Sequence, residues 1–179
     1  MRPVVDPFVC THALLVLSRV DRAPLAEAHV DLASVARAAI ERCRAADPDR
    51  AVAVEVPARL WVWADPLLVD LLMQALLDNA WKFTRGEAVS RIEVGTDGSA
   101  FFVRDDGAGF DPSGAHRLFA PFERLHPPNV FRGLGMGLAT ARRIVERHGG
   151  RIRADGEPGR GATISFTLPG RPPSAWGLA

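Results

Sequence analysis

The chain has 179 residues, about the size of one domain with an appendage; 47% of them are apolar and 24% charged. This composition excludes disorder as the main state, because low hydrophobicity and high net charge are both missing. With 22 Lys and Arg against 21 Asp and Glu the formal charge is +1, which excludes a general nucleic-acid coat and a polybasic membrane binder.

Residues 8–20 (FVCTHALLVLSRV) are mostly apolar and read as part of a helix. Residues 21–30 hold Pro24 and scattered charge, and read as a connection. Asp31 stands where an N-cap belongs, ahead of LASVARAAIERCRAA at 32–46. There Val35, Ala36, Ala39, Ile40 and Cys43 recur at helical spacing, and Asp47-Pro48 stops the run. AVAVEV at 51–56 and RLWVW at 59–63 flank Pro57 and predict a hairpin or paired strands. Asp65-Pro66 is a strong helix start, an N-cap acid followed by proline at the first helical position. That helix is expected to reach about Trp81, with Leu68, Leu72, Ala75, Leu76 and Asn79 along one face.

SRIEVGT at 90–96 and AFFVRD at 100–105 predict strands joined through Asp97-Gly98. A short helical piece is expected at 116–119, within otherwise irregular chain. Glycines at 133–137 open a helix over about 138–148, which His148-Gly149-Gly150 ends. Residues 151–155 and 162–168 alternate like strands around GEPGRG, and a loose tail follows Pro169. No run approaches 18 uncharged apolar residues, and Cys10 and Cys43 fit no redox or zinc pattern. A cytoplasmic chain without nucleic-acid or direct membrane contact is expected, although a longer parent protein can be membrane-anchored.

Three segments carry chemistry. Gly133, Gly135 and Gly137 let backbone N–H groups approach an anion, and the helix they open aims its dipole at the same place. A plain glycine-rich turn is the competing reading of that loop taken alone. Asp105 ends a strand and is followed by Gly107 and Gly109, so its carboxylate can accept from an exocyclic amine such as adenine's while the chain curls beneath a flat ring. A solvated turn with a capping acid is the alternative there. Asn79 and Lys82 are neighbours on a helix surface. An amide oxygen suits Mg²⁺, and an ammonium suits phosphate; taken alone, Lys82 reads as merely exposed.

Together these segments resemble the catalytic, ATP-binding domain of bacterial sensor histidine kinases, in the GHKL ATPase superfamily. LLDNAWKFT (76–84) is similar to the N box of that family and VRDDGAGFD (103–111) to its first glycine box. LFAPFERLH (118–126) is similar to the F box, GLGMGLATARRIVERHGG (133–150) to the second glycine box, and GEPGRGATISFTLP (156–169) to the closing hairpin. The wording is nearest to phytochrome-like and PAS-linked kinases. LLVLSRVDR (14–22) resembles the end of a dimerisation-domain helix, so residues 1–30 are expected to be its remnant and linker, 31–169 the catalytic domain, and 170–179 a flexible tail.

The resemblance implies an α/β fold, a two-layer sandwich of the Bergerat/GHKL type with a mixed sheet of about five strands and about three helices on one face. It implies ATP and Mg²⁺ as ligands. Asn79 would hold the metal, Lys82 would contact phosphates and Phe83 would pack by the adenine. Asp105 would read the adenine amine above Gly107 and Gly109. Arg124 would reach the γ-phosphate. Gly133, Gly135 and Gly137, with Met136 and Leu138, would form the lid over the phosphates, and Thr163 would border the nucleotide. Phe119 and Phe122 would pack near the lid or on a dimerisation domain, or else be ordinary core.

The chain departs from the family twice. A second Asn, usual one helical turn before Asn79, is replaced by Ala75. A phosphoacceptor box, His followed by an acid, is absent: His12 is followed by Ala13, and His29, His116, His126 and His148 lie elsewhere. The acceptor is therefore expected on a histidine-containing dimerisation domain, in cis in a longer parent or in trans, with a response-regulator receiver domain downstream. Two alternatives are a degenerate kinase that only binds nucleotide or a partner, and a serine kinase of the anti-sigma type.

Overall fold

The computed structural model describes residues 24–85, 90–123 and 135–170. The expected helix at 8–20, Arg124 (expected at the γ-phosphate), Gly133 (expected in the lid), His12, His126 and the tail beyond Gly170 lie outside them.

The described chain runs β1 (Ala28–Asp31), α1 (Leu32–Ala46), β2 (Val52–Glu55), β3 (Trp61–Ala64), α2 (Pro66–Phe83), β4 (Ser90–Thr96), β5 (Phe101–Asp105), a 3₁₀ turn (Pro112–Arg117), α3 (Gly137–Arg147), β6 (Ile152–Gly156) and β7 (Ala162–Phe166). Five strands form one mixed sheet in the order β2-β4-β5-β7-β6, with β2 parallel to β4 and the other pairs antiparallel. β1 and β3 pair antiparallel as a separate ribbon.

The caps fall where the sequence places them. The Asp31 carboxylate accepts from the Ala33 N–H at 3.1 Å and, across the chain, from Leu60 N–H at 2.9 Å. Asp65 accepts from Leu67 and Leu68 N–H at 3.0 and 3.2 Å, with Pro66 opening α2. Each such cap satisfies helix N–H groups that have no intrahelical partner, an effect of about 1 kcal/mol.

Alternation sets the layers. Ile92, Val94, Val103, Ile164 and Phe166 are buried on one face of the sheet, and they join Leu72, Met73, Leu76, Leu77, Ile144 and Val145 from the helices in a single core. Arg91, Glu93, Arg104 and Thr163 alternate with them and take the other face. α2 is the central helix and packs against both α1 and α3. At its start His148 links helices: its Nε2 accepts the Asp65 N–H at 3.0 Å, and its Nδ1 donates to the Ile144 carbonyl at 2.8 Å.

Three expectations are corrected. Residues 51–56 and 59–63 do not pair with each other; β2 joins β4 and β3 joins β1. The supposed connection at 21–30 contains β1, which β3 recruits because both bury alternate apolar side chains, Val30 and Val62. The short helical piece lies at Pro112–Arg117 rather than 116–119, because Asp111 caps it through the Ser113 N–H at 2.9 Å and Pro112 occupies its first position. α2 ends at Phe83, close to the expected end at about Trp81.

Candidate functional site

Ala75, Asn79 and Phe83 occupy successive turns of one face of α2. The two glycine segments meet this face at either end. The Phe83 carbonyl accepts the Ala108 N–H at 3.0 Å, which ties the turn after Asp105 to the end of the helix. At Gly137, the first residue of α3, an added Cβ would lie 3.9 Å from the Ala75 carbonyl oxygen. Half-buried Asn79 sits between these contacts.

Asp105 is 6% exposed. Burial pushes its carboxyl up to about 6 from 3.8, against the lowering effect of backbone hydrogen bonds from Gly107 and Ala162; the neighbouring Asp106 charge adds to the rise. The Gly107 N–H donates to Asp105 Oδ1 at 3.0 Å. The two adjacent acids have separate duties, for Asp106 turns outward and accepts the Arg91 N–H at 2.9 Å. Gly107 is required by space: a Cβ there would stand 2.3 Å from the Phe83 carbonyl oxygen. Gly109, at φ +61°, lies against the carbonyls of Glu157 and Gly161. The floor is therefore backbone packed on backbone, reached only because side chains are missing.

Lys82 is the only lysine in the chain. Its ammonium lies over the Phe83 ring, 4.3 Å from the centroid, a cation–π contact at the end of α2. α3 begins without a side-chain cap and without an acid in its first turn, whereas Asp31 and Asp65 cap the other two helices. Its N-terminal N–H groups and dipole thus favour an anion, and no acid among the described residues caps them. Gly135, at φ +73°, precedes it, and its carbonyl accepts the Phe122 N–H at 3.1 Å.

Of the remaining expected site residues, Met136 and Leu138 are buried, and Leu138 belongs to the core. Thr163 lies on the other face of the sheet, although it and Asp105 both line one groove. It pairs in register with Arg104, whose Nε donates to its hydroxyl at 3.3 Å, so it faces away from Asp105. It borders a groove of about 710 Å³ with ionised walls, including the Arg104–Glu93 pair at 3.2 Å, on the sheet face opposite the helices. The residue beside Asp105 is instead Ala162, its register partner. Counting the alternation of GATISF back from the buried Ile164 and Phe166 is the signal that separates them. Phe119 is core at 8% exposure, while Phe122 is 51% exposed and is, among the described residues, the only non-glycine at positive φ. Of the three described histidines, His148 is buried between helices, His29 stacks on Trp61 at 4.5 Å, and His116 is exposed in the 3₁₀ turn.

The geometry agrees with the chain's relatives. A family model described as histidine kinase-, DNA gyrase B-, and HSP90-like ATPase matches residues 64–172. Cyanobacterial phytochrome A of Nostoc sp. is 44% identical over 102 residues, covering 55% of this chain and 13% of that protein. Phytochrome-like protein Cph1 of Synechocystis sp. is 31% identical over 160 residues, covering 87% of this chain and 21% of that protein. The chain therefore spans about a fifth or less of these relatives. Among solved structures, the mycobacterial sensor histidine kinase MprB superposes with a TM-score of 0.66 at 28% identity, covering 82% of this chain and 99% of that one. Full-length ShkA in complex with AMPPNP gives a TM-score of 0.71 at 25% identity, covering 90% and 35%. With its mixed sheet, its glycine-walled acid and its uncapped third helix, the chain belongs to the histidine kinase-, DNA gyrase B- and HSP90-like ATPase family, as an ATP-binding catalytic domain of the sensor histidine kinase type.

Proposed function

We propose that this domain binds Mg·ATP and transfers the γ-phosphoryl group to a histidine on a dimerisation domain outside the described residues, in cis or in trans, for onward passage to a response-regulator receiver domain in the cytoplasm. The observation that carries the reading is the single face of α2, where Asn79 lies between the contact with the α3 N-terminus and the contact with the Asp105 turn. In this reading the Asp105 carboxylate accepts the adenine amine, and Gly107 and Gly109 bring the floor against the ring. Phe83 packs by the base. Lys82 and the N–H groups of Gly135, Met136 and Gly137 face the phosphates, with Gly133 and Leu138 completing the lid and Arg124 reaching the γ-phosphate. The domain's own contribution is positioning and charge neutralisation, since phosphoryl transfer asks little covalent chemistry of the protein.

The Asn79 amide oxygen is a hard donor of the kind Mg²⁺ takes. Among the described residues no group of three or more His, Cys, Asp or Glu converges. A cation at Asn79 would thus take its remaining ligands from phosphate and water, and its chemistry there would be to neutralise phosphate charge. Ala75 supplies no side-chain oxygen one turn earlier. Ala75→Asn is expected to raise ATP affinity severalfold in Mg²⁺ and to leave it unchanged in EDTA; calorimetry in the two buffers measures the difference. An equal change in both, or none, removes position 75 from the metal's surroundings.

The test of the activity is incubation of the chain with labelled ATP and a separate histidine-containing dimerisation domain. Acid-labile label on that domain is the expected result. Ala75 favours a second reading, a binding module without transfer, and ATP binding with no label would establish it. Acid-stable label would point to a serine acceptor of the anti-sigma type.

A further inference from the structure

The last four carbonyls of a helix have no partner within it, and helix ends fray unless something else satisfies them. In α2 these are Ala80, Trp81, Lys82 and Phe83. All four are satisfied. Ala80 accepts from the Thr84 N–H at 3.1 Å and the Thr84 hydroxyl at 2.9 Å. Lys82 accepts from the Arg85 N–H at 3.3 Å, and Phe83 from the Ala108 N–H at 3.0 Å. Trp81 accepts from Arg50 Nη1, and its carbonyl also lies 3.2 Å from the Thr84 hydroxyl, whose one proton it shares with Ala80. Arg50 and Ala108 are the two donors that come from distant sequence, and they hold this end from two sides.

Arg50 does more than fill one acceptor. Its Nη2 donates to the Thr84 hydroxyl at 2.7 Å and to the Ser90 hydroxyl at 3.3 Å, and Ser90 in turn donates to the Thr84 carbonyl at 2.9 Å. The guanidinium lies 5.4 Å from the centroid of the Trp81 ring. Three segments meet on one planar fork: the approach to β2, the end of α2 and the first residue of β4. The contacts fall on Trp81 and Thr84, on either side of Lys82 and Phe83. A lysine ammonium is one point charge on a flexible stem and cannot reproduce a fork of this shape. Burial holds the guanidinium's affinity for its proton below the ordinary arginine value, while nearby Asp47 acts the other way.

We propose that Arg50 is a positioning residue for the nucleotide site, fixing the last turn of α2 so that Lys82 points at the phosphates. Arg50 touches no ligand in this arrangement; it acts through Lys82. The inference rests on the nucleotide-binding reading above, and the experiment separates the two.

ATP affinity is measured by calorimetry on the whole chain for the parent, Arg50→Met, Lys82→Ala and the double variant, with urea unfolding of each. Arg50→Met is expected to lose about tenfold in affinity in the parent background and no more than about twofold when Lys82 is already alanine, the non-additivity of residues acting as a unit. Because Lys82 is the chain's only lysine, its rate of acylation by an amine-reactive reagent reports its surroundings separately. That rate is expected to change in Arg50→Met without ATP and to move only part of the way in Arg50→Lys, read at Lys82 by peptide mass. Equal losses in both backgrounds, an unchanged affinity, or an unchanged acylation rate would overturn the proposal. If Arg50→Met does not fold, Arg50→Lys carries the same cycle, with a smaller loss expected that again vanishes without Lys82. Failure of the parent chain to bind ATP would sink the reading of the site instead.

Discussion

Asp105→Asn is expected to weaken ATP binding about 10- to 100-fold while leaving the fold intact. A hydrogen bond to a charged partner is worth roughly 1.5–3 kcal/mol, and the variant keeps the shape of the side chain but loses the charge. The same substitution is expected to leave stability at neutral pH equal or higher. Folded Asp105 holds its proton more tightly than the unfolded chain does, about 6 against 3.8, so ionisation opposes folding. Stability from this group is full below 3.8, declines as the pH rises, and is gone above about 6. In the proposed pocket, where the adenine amine donates to the anionic carboxylate, binding runs the other way: affinity is expected to fall as the pH drops below about 6, by up to tenfold per unit. Calorimetry and urea unfolding between pH 5 and 8 measure both slopes. Parallel slopes, or an Asp105→Asn variant with parental affinity, would remove the residue from the base pocket.

Gly161→Ala is expected to cost at least about 3 kcal/mol, against about 1 kcal/mol for Gly159→Ala. Both glycines lie in the turn between β6 and β7 at positive φ, +85° and +73°, so the backbone strain of an alanine is nearly the same. Space separates them. A Cβ at Gly161 would stand 1.9 Å from the Asp105 carbonyl oxygen, while at Gly159 nothing lies within 4 Å. Relief at Gly161 requires β7 to part from β5 where Asp105 faces Ala162, so ATP affinity is expected to fall along with stability. Gly159→Ala should leave affinity unchanged. Urea denaturation and ATP titration of the pair measure this; similar costs would mean that strain, not the close approach, governs the turn.

The first expectation turns on burial and the second on a close backbone approach, and neither is read from residue order. The caps at Asp31 and Asp65, the Asp97-Gly98 turn and the two glycine boxes are local. Each depends on residues within a few positions, so order along the chain is enough to find them. The family, the fold class, the helix that carries Asn79 and Lys82, and the acid at the end of β5 follow from such signals. Pairing of β3 with β1, rather than with the nearer β2, does not, since short apolar runs state that they pair but not with whom.

The site divides the same way. That Asp105 lies in a glycine-rich turn is written in VRDDGAGFD. That its carboxyl is pushed up to about 6 depends on how deeply the strands and helices bury it. The choice of Ala162 over Thr163 beside it depends on the β5–β7 register, where a shift of one residue exchanges the two faces. Arg50 carries no motif at all; its place under the end of α2 exists only once the approach to β2, the helix end and β4 have come together. Residue order determined which chemical groups this protein owns and where its helices start, because those choices are made over one turn of chain. Tertiary packing alone decided which groups face one another and how far each is removed from water, because distance and burial belong to the assembled layers.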